Sequence, residues 1–195
     1  MFLAIVGRKG HHVRMLTDAL APSSCQAKIV TRIAGARTYD LLTRLQELNK
    51  DPPQGDVRLL HTPIAQRLLN DSTLMARLAY TGKHGTPRLI PVNFLWNGDE
   101  VVIGAFAGTY KIRDLRARRD VAISIDTADV PPQALMLRGK VTLTEVAGVL
   151  PEYATIQRAV MGEAGNAYVT AIDQPGLCMV RIALRPSWIG VLDFQ

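Results

Sequence analysis

The 195-residue chain is 48% apolar and 21% charged, a composition that is ordinary for a globular protein with one main core. Its net charge of +6 comes from 23 basic and 17 acidic residues, and so modest an excess disfavours a nucleic-acid partner. No apolar run is long enough to span a membrane, so we expect no membrane partner.

The cysteines and histidines argue against a metal site. Cys25 and Cys178 have neither CxxC spacing nor flanking histidines, which also disfavours a disulfide framework. The four histidines show no ligand spacing. We therefore expect no metal and a reducing, cytoplasmic location.

The first 56 residues are predicted to be an N-terminal extension, partly helical or disordered. Leucines on one face indicate a short helix over residues 38–50, and the segment DPPQGD after it has the composition of a linker. Residues 1–37 hold six basic residues and one acidic residue, and two interpretations stay open: a targeting segment or an early start site. The main domain is predicted to cover residues 57–195.

The main domain alternates between short strands and a few helices. Thr62 and Pro63 predict a helix start, and apolar alternation predicts strands over 73–80, 88–96 and 101–107 that form a meander. A helix from Thr109 comes next, and further strands are expected over 121–126, 134–145, 177–184 and 188–194, with a helix over 151–161. Short hairpins exclude a doubly wound sheet and favour a mainly β fold with helices, a small antiparallel barrel.

The sequence shows no catalytic constellation but one cradle for an anion. Paired carboxylates and a nucleophile with a base are not evident, so we expect no catalytic side chain. Gly108, Thr109 and Lys111 stand at a helix start, where free N–H groups and a cation suit a phosphate. The alternative is that Thr109 only caps the helix and that Lys111 pairs with Asp114.

The segment ARLAYTGKHGTPRLIPVNFLWNGDEVVIGAFAGTYKIRDLRARRDVAISID, residues 76–126, resembles the FMN-binding split barrels of the pyridoxamine 5'-phosphate oxidase superfamily. The similarity includes the hairpin of G.P...PV.F..DG type. It also includes the phosphate segment, matched by Thr109, Lys111, Leu115 and the strand Val121 to Asp126. The resemblance covers roughly residues 60–194 and implies an antiparallel split β-barrel.

The resemblance also implies a homodimer with two flavin sites at the subunit interface. It assigns main-chain groups of one strand to the isoalloxazine and ribityl chain, and three residues to the phosphate. The strand comprises Arg88, Leu89, Ile90, Pro91, Val92 and Asn93, and the phosphate residues are Thr109, Tyr110 and Lys111.

Three positions depart from the family pattern. Ala105 stands where relatives have a threonine that helps to hold the phosphate, Tyr110 where they have a second basic residue, and Ala134 where they have a glutamine near the ring. The C-terminal arginine and histidine pattern that binds pyridoxamine phosphate is also missing, so that substrate is not expected.

The resulting hypothesis is an FMN-dependent oxidoreductase that acts on an unidentified small organic substrate. One alternative is a reductase that uses the 8-hydroxy-5-deazaflavin coenzyme, whose longer acidic tail would use Lys111 and Arg113. Another is a non-catalytic module that binds flavin or haem.

Overall fold

The computed structural model describes residues 52–194, so the predicted extension and its helix over 38–50 lie outside the described residues. The described part contains a 3-10 turn at Val57–His61, four α-helices and eight strands. The helices are α1 (Pro63–Asn70), α2 (Tyr110–Ala117), α3 (Pro151–Met161) and α4 (Glu163–Ile172). The strands are β1 (Ala76–Thr81), β2 (Pro87–Val92), β3 (Leu95–Trp96), β4 (Val101–Phe106), β5 (Asp120–Asp126), β6 (Gln133–Ala147), β7 (Cys178–Leu184) and β8 (Trp188–Asp193).

The strands form two antiparallel sheets that share β6. The first sheet has the order β2-β1-β5-β6-β8, and the second has the order β6-β7-β4-β3. Residues 133–138 of β6 pair with β8, whereas residues 141–147 pair with β7, so the partner changes at Gly139. This topology confirms the predicted mainly β fold, an antiparallel split barrel with helices.

The core lies between the inward faces of the two sheets and the helices that cover them. In β5, Val121, Ile123 and Ile125 are buried, while the alternate residues are at least partly exposed, as the period-two pattern predicts. Helix α2 contributes Ile112 and Leu115 to the same core. Helix α1 begins where the sequence predicts, since the Thr62 side chain accepts a hydrogen bond from the amide of Ala65.

The predicted continuous strand over 88–96 is wrong. The chain leaves the first sheet after Val92 and enters the second at Leu95, so β3 pairs with β4 and not with β2. Phe94, at the crossing, packs against the core. Apolar alternation continues through the crossing, which is why the sequence pattern predicts one strand and a simple meander.

Helix α4 is not predicted by the sequence, in which Gly162 marks only the end of a helix. Gly162 has a φ of 59° and caps α3, and the chain turns directly into α4. Gly165 then lies against α3, since a Cβ atom there would be 2.5 Å from the carbonyl oxygen of Gln157. Close helix–helix packing therefore forms an element that residue propensities alone do not indicate.

Helix α3 docks on the second sheet through an aromatic residue and a glycine. The Tyr153 ring lies over Gly104 of β4, where a Cβ atom would be 2.7 Å from Tyr153 Cδ2 and 2.9 Å from its Cβ. Phe106 contacts the same ring edge-on at a centroid distance of 6.1 Å. The position of α3 therefore depends on the missing side chain of Gly104.

Gly104→Ala should lower the free energy of unfolding by about 1–3 kcal/mol, because the added methyl group forces Tyr153 and α3 away from β4. Urea denaturation monitored by circular dichroism measures this change. Gly108→Ala is the matched control, because no atom lies within 4 Å of a Cβ at that position. Equal stability of the two variants would contradict the tight packing of Tyr153.

Candidate functional site

A pocket of about 170 Å³ lies where the end of β2, the middle of β4 and the helices α2 and α3 meet. Its wall combines main-chain groups at the end of the first sheet with side chains from both helices. The lining residues are Pro91, Val92, Asn93, Ile103, Gly104, Lys111, Tyr153, Ile156 and Gln157.

Lys111 supplies the positive charge of this pocket. It lies in the first turn of α2, is half-buried, and burial lowers the pKa of its ammonium group. Within residues 52–194 no carboxylate or other side chain pairs with it. Asp114, the alternative partner, instead accepts hydrogen bonds from Arg113, with an Nη2–Oδ1 distance of 2.8 Å. The structure therefore does not form the surface pair of Lys111 and Asp114.

The N-terminus of α2 leaves its first amides available beside Lys111. Thr109 occupies the N-cap position, but its hydroxyl donates to the carbonyl oxygen of Phe106 (3.0 Å) and makes no capping bond. The first N–H groups of a helix have no acceptor inside the helix, and together they carry a partial positive charge. The amide of Ile112 donates to the carbonyl oxygen of Thr109 (3.1 Å), so the amides of Tyr110 and Lys111 are the free ones. These amides and the Lys111 ammonium group belong to one helical turn, a combination that suits an anion.

The outer edge of β2 offers main-chain hydrogen-bonding groups. The amide of Gly82 donates to the carbonyl oxygen of Thr86 (2.8 Å). In an antiparallel pair every second residue hydrogen-bonds to the partner strand, so the N–H and C=O groups of Arg88, Ile90 and Val92 point towards β1. The intervening residues then face the open edge, two of which are prolines without an N–H group. The residues that face this edge are Pro87, Leu89 and Pro91. They present three carbonyl oxygens and one N–H donor, that of Leu89.

The structure brings together four of the ten predicted site residues. Pro91, Val92, Asn93 and Lys111 line the pocket. The other six lie outside its wall. Arg88 lines a separate open depression with Tyr80 and Asp120. Ala105 is buried, Ile90 and Thr109 are half-buried, and Leu89 and Tyr110 are exposed. Their assignment to a coenzyme stays a prediction.

Sequence reasoning missed the contribution of α3. Tyr153, Ile156 and Gln157 form one wall of the pocket, although they are more than 40 positions from Lys111 in the chain. The available signal is that Gln157 lies three residues after Ala154, on the buried face of the helix. A polar residue at such a position needs a hydrogen-bonding partner.

The arginines after Lys111 bind other parts of the protein. Arg113 pairs with Asp114 and Arg116 with Glu145, while Arg118 donates to the carbonyl oxygen of Gly82 (3.2 Å). In the part of the chain that the structure describes, no three metal-ligating side chains cluster together. No helix in residues 52–194 has the length and apolarity needed to cross a membrane.

Comparisons with known proteins support this fold. No protein-family model matches the sequence, and no curated protein is significantly similar to it. Among solved structures, an F420 reductase is 26% identical with a TM-score of 0.51, over 64% of this chain and 94% of that one. The conserved hypothetical protein Rv2991 from Mycobacterium tuberculosis is 14% identical with a TM-score of 0.54, over 72% and 90% of the two chains.

The two sheets that share β6 define an antiparallel split barrel. The chain has the split-barrel fold of the pyridoxamine 5'-phosphate oxidase-like superfamily, and the resemblance seen in the sequence is confirmed at that level.

Lys111→Met should raise the melting temperature of the coenzyme-free protein at pH 7, because it removes a charge whose burial is unfavourable. The lowered pKa means that this cost is present below the folded-state pKa and fades as the pH rises through it towards the ordinary value of 10.5. The advantage of the variant should therefore shrink on the alkaline side. Differential scanning fluorimetry across this pH range measures it.

Lys140→Met is the control for the lost charge, since Lys140 is exposed and paired with Asp120. A Lys111→Met protein that melts below the wild type at pH 7 would show that the ammonium group has a stabilising partner.

Proposed function

We propose that this protein binds a phosphate-bearing flavin-type coenzyme and acts as an oxidoreductase on a small organic substrate. The observation that carries the proposal is Lys111, a half-buried cation without an anion in residues 52–194 at the start of α2. A phosphate group satisfies the ammonium and the first amides of the helix together.

The pocket is large enough for only one part of the coenzyme. A volume of about 170 Å³ is below the range of roughly 300–1,000 Å³ that holds a whole drug-sized ligand. The pocket therefore suits the phosphate end, and the ring system lies outside it along β2. The free edge at Leu89, with carbonyls and one N–H group, complements the alternating carbonyl and N–H groups of the pyrimidine part of an isoalloxazine.

When bound, the coenzyme supplies hydride transfer, whereas the protein binds and orients it. Tyr153 in the pocket wall has a structural role. Burial and the hydrogen bond with Tyr168 (3.1 Å between hydroxyl oxygens) raise the pKa of Tyr153, so its hydroxyl stays protonated at neutral pH. Tyr153 therefore forms a neutral wall and does not act as a base.

Two coenzymes meet the requirement for a phosphate group. FMN is the one that the sequence resemblance implies. The similarity to an F420 reductase at 26% identity favours the second candidate, the 8-hydroxy-5-deazaflavin coenzyme F420. The two differ beyond the phosphate, because FMN ends there and F420 continues into an acidic tail.

We also propose that the protein is a homodimer in which a second copy covers the ring. Among the strands of residues 52–194, none pairs with β2 on the side away from β1, and Leu89 there is 66% exposed. A ring system lying on this edge would have one face in water unless another chain covered it. A second copy closes such a site by symmetry.

Lys111→Met should weaken binding of the true coenzyme about tenfold or more, the loss expected for a charge-assisted hydrogen bond. FMN and F420 are titrated separately into wild type, Lys111→Met and the control Lys140→Met, with binding followed by fluorescence. The coenzyme whose affinity falls selectively in Lys111→Met is the one that the site holds.

Equal affinities in wild type and Lys111→Met would remove Lys111 from the coenzyme site. A wild-type protein that binds neither FMN nor F420, or that is purified with haem, would contradict the proposed oxidoreductase and favour a non-catalytic module.

Leu89→Asp should convert the proposed homodimer to a monomer, because it places a charge in the centre of the interface. Sedimentation velocity at micromolar concentration measures the change, and coenzyme affinity should fall with it. Val160→Asp on α3, where the valine is 51% exposed, is the control. A wild-type monomer that still binds the coenzyme tightly would contradict the shared site.

A further inference from the structure

Gln157 is a buried polar side chain in the wall of the Lys111 pocket, where it is 9% exposed. Within residues 52–194 its amide makes no hydrogen bond, whereas buried Asp114 is held by Arg113 and buried Gln133 donates to Asp193 (2.8 Å). The fully buried side-chain polar atom without a partner in residues 52–194 is Oε1 of Gln133. The amide of Gln157 is not sealed from solvent in this way, so it can reach a ligand in the pocket.

The position of Gln157 is fixed by the docking of α3. Tyr153 lies one helical turn earlier and packs on Gly104, so positions 153 and 157 share one face of the helix. At the start of α3, Glu152 accepts a hydrogen bond from Arg181 of β7 (2.7 Å). Two contacts with the sheet therefore hold the helix, and they keep Gln157 at the pocket.

Two polar residues of the pocket wall, beside Asn93 and Tyr153, come from different helices and have complementary chemistry. Lys111 contributes one positive charge from α2, and Gln157 contributes a neutral amide with two N–H donors from α3. The next cation of α2, Arg113, is already bound to Asp114. A phosphate oxygen directed away from α2 therefore needs a donor from the other wall.

We infer that Gln157 is a direct ligand of the coenzyme phosphate, to which its side-chain amide donates a hydrogen bond opposite Lys111. This assignment rests on the proposed function and adds α3 to the binding site. It makes the phosphate a bridge between two helices that are distant in sequence.

The test compares Gln157→Leu and Gln157→Glu with wild type and with Gln174→Glu, a control that adds the same charge at an exposed position. FMN and F420 are the probes, and riboflavin, which has no phosphate, is the comparator. Gln157→Leu should weaken phosphate-bearing coenzyme binding about tenfold, the loss for a hydrogen bond to a charged group. Gln157→Glu should weaken it further, because its carboxylate faces the phosphate, while riboflavin binding and Gln174→Glu stay unchanged.

The melting temperature of the coenzyme-free protein separates a binding role from a structural one. Gln157→Leu removes an amide that makes no hydrogen bond within residues 52–194, so it should not lower the melting temperature. Normal FMN and F420 affinity in both Gln157 variants, beside a loss in Lys111→Met, would overturn the inference and leave the proposed function standing. A wild-type protein that binds neither coenzyme would overturn both.

Discussion

The docking of α3 on the second sheet is the interaction on which the candidate site depends. Arg181 of β7 bridges two carboxylates, with 2.7 Å to Glu152 at the start of α3 and 3.0 Å to Glu100 beside β4. All three side chains are between 21% and 24% exposed, so water screens these pairs less than fully exposed ones. Burial is the largest single effect and raises the pKa of Glu152. The hydrogen bond from Arg181, a hydrogen bond from the backbone of Glu152 and the charge of Arg181 together outweigh it, so the pKa lies below its usual value. The bridge is therefore formed at neutral pH and weakens as the pH falls through that lowered pKa.

The docked helix α3 forms a pocket together with the segment where the chain crosses from the first sheet to the second. The chain passes between the two sheets at Asn93 and Phe94, and the crossing leaves main-chain groups at the end of β2 next to the start of α2. Helix α3 adds Tyr153, Ile156 and Gln157 to the wall of the pocket that contains Lys111. The contact of Tyr153 with Gly104 holds this wall in place, and Lys111 is half-buried. Partial exclusion of water strengthens any interaction of that ammonium with an anion.

Local patterns in the sequence predict much of the fold. Alternation over β5 and β6, the cap at Thr62 and the start of α2 at Tyr110 depend on neighbours within a few residues, and each is found as predicted. The break between β2 and β3 and the helix α4 were not predictable in this way. Apolar alternation continues across the break, and α4 exists because Gly165 lets it lie close to α3.

In the site too, features that depend on neighbouring residues can be predicted, whereas features that depend on contacts distant in sequence cannot. Lys111 can be identified from the sequence because a cation is unusual in the first turn of a helix, where it opposes the helix dipole. Main-chain recognition at β2 leaves little trace, since almost any residue provides a carbonyl and an N–H group. Gln157 could not be connected with Lys111, because contacts between residues that are distant in sequence, such as those of Arg181 and Gly104, bring α3 to that place.

The polar groups of the pocket link coenzyme binding to the stability of the fold. Burial disfavours the charged form of Lys111, and the amide of Gln157 has no partner in residues 52–194. The burial of the ammonium group makes the protein without a ligand less stable than an apolar side chain at position 111 would. The proposed phosphate between α2 and α3 would satisfy both groups only in the folded state. A coenzyme at one hundred times its dissociation constant would add about 2.7 kcal/mol to the free energy of unfolding. With such a ligand, the site would resemble other binding sites in which function is obtained at some expense of stability.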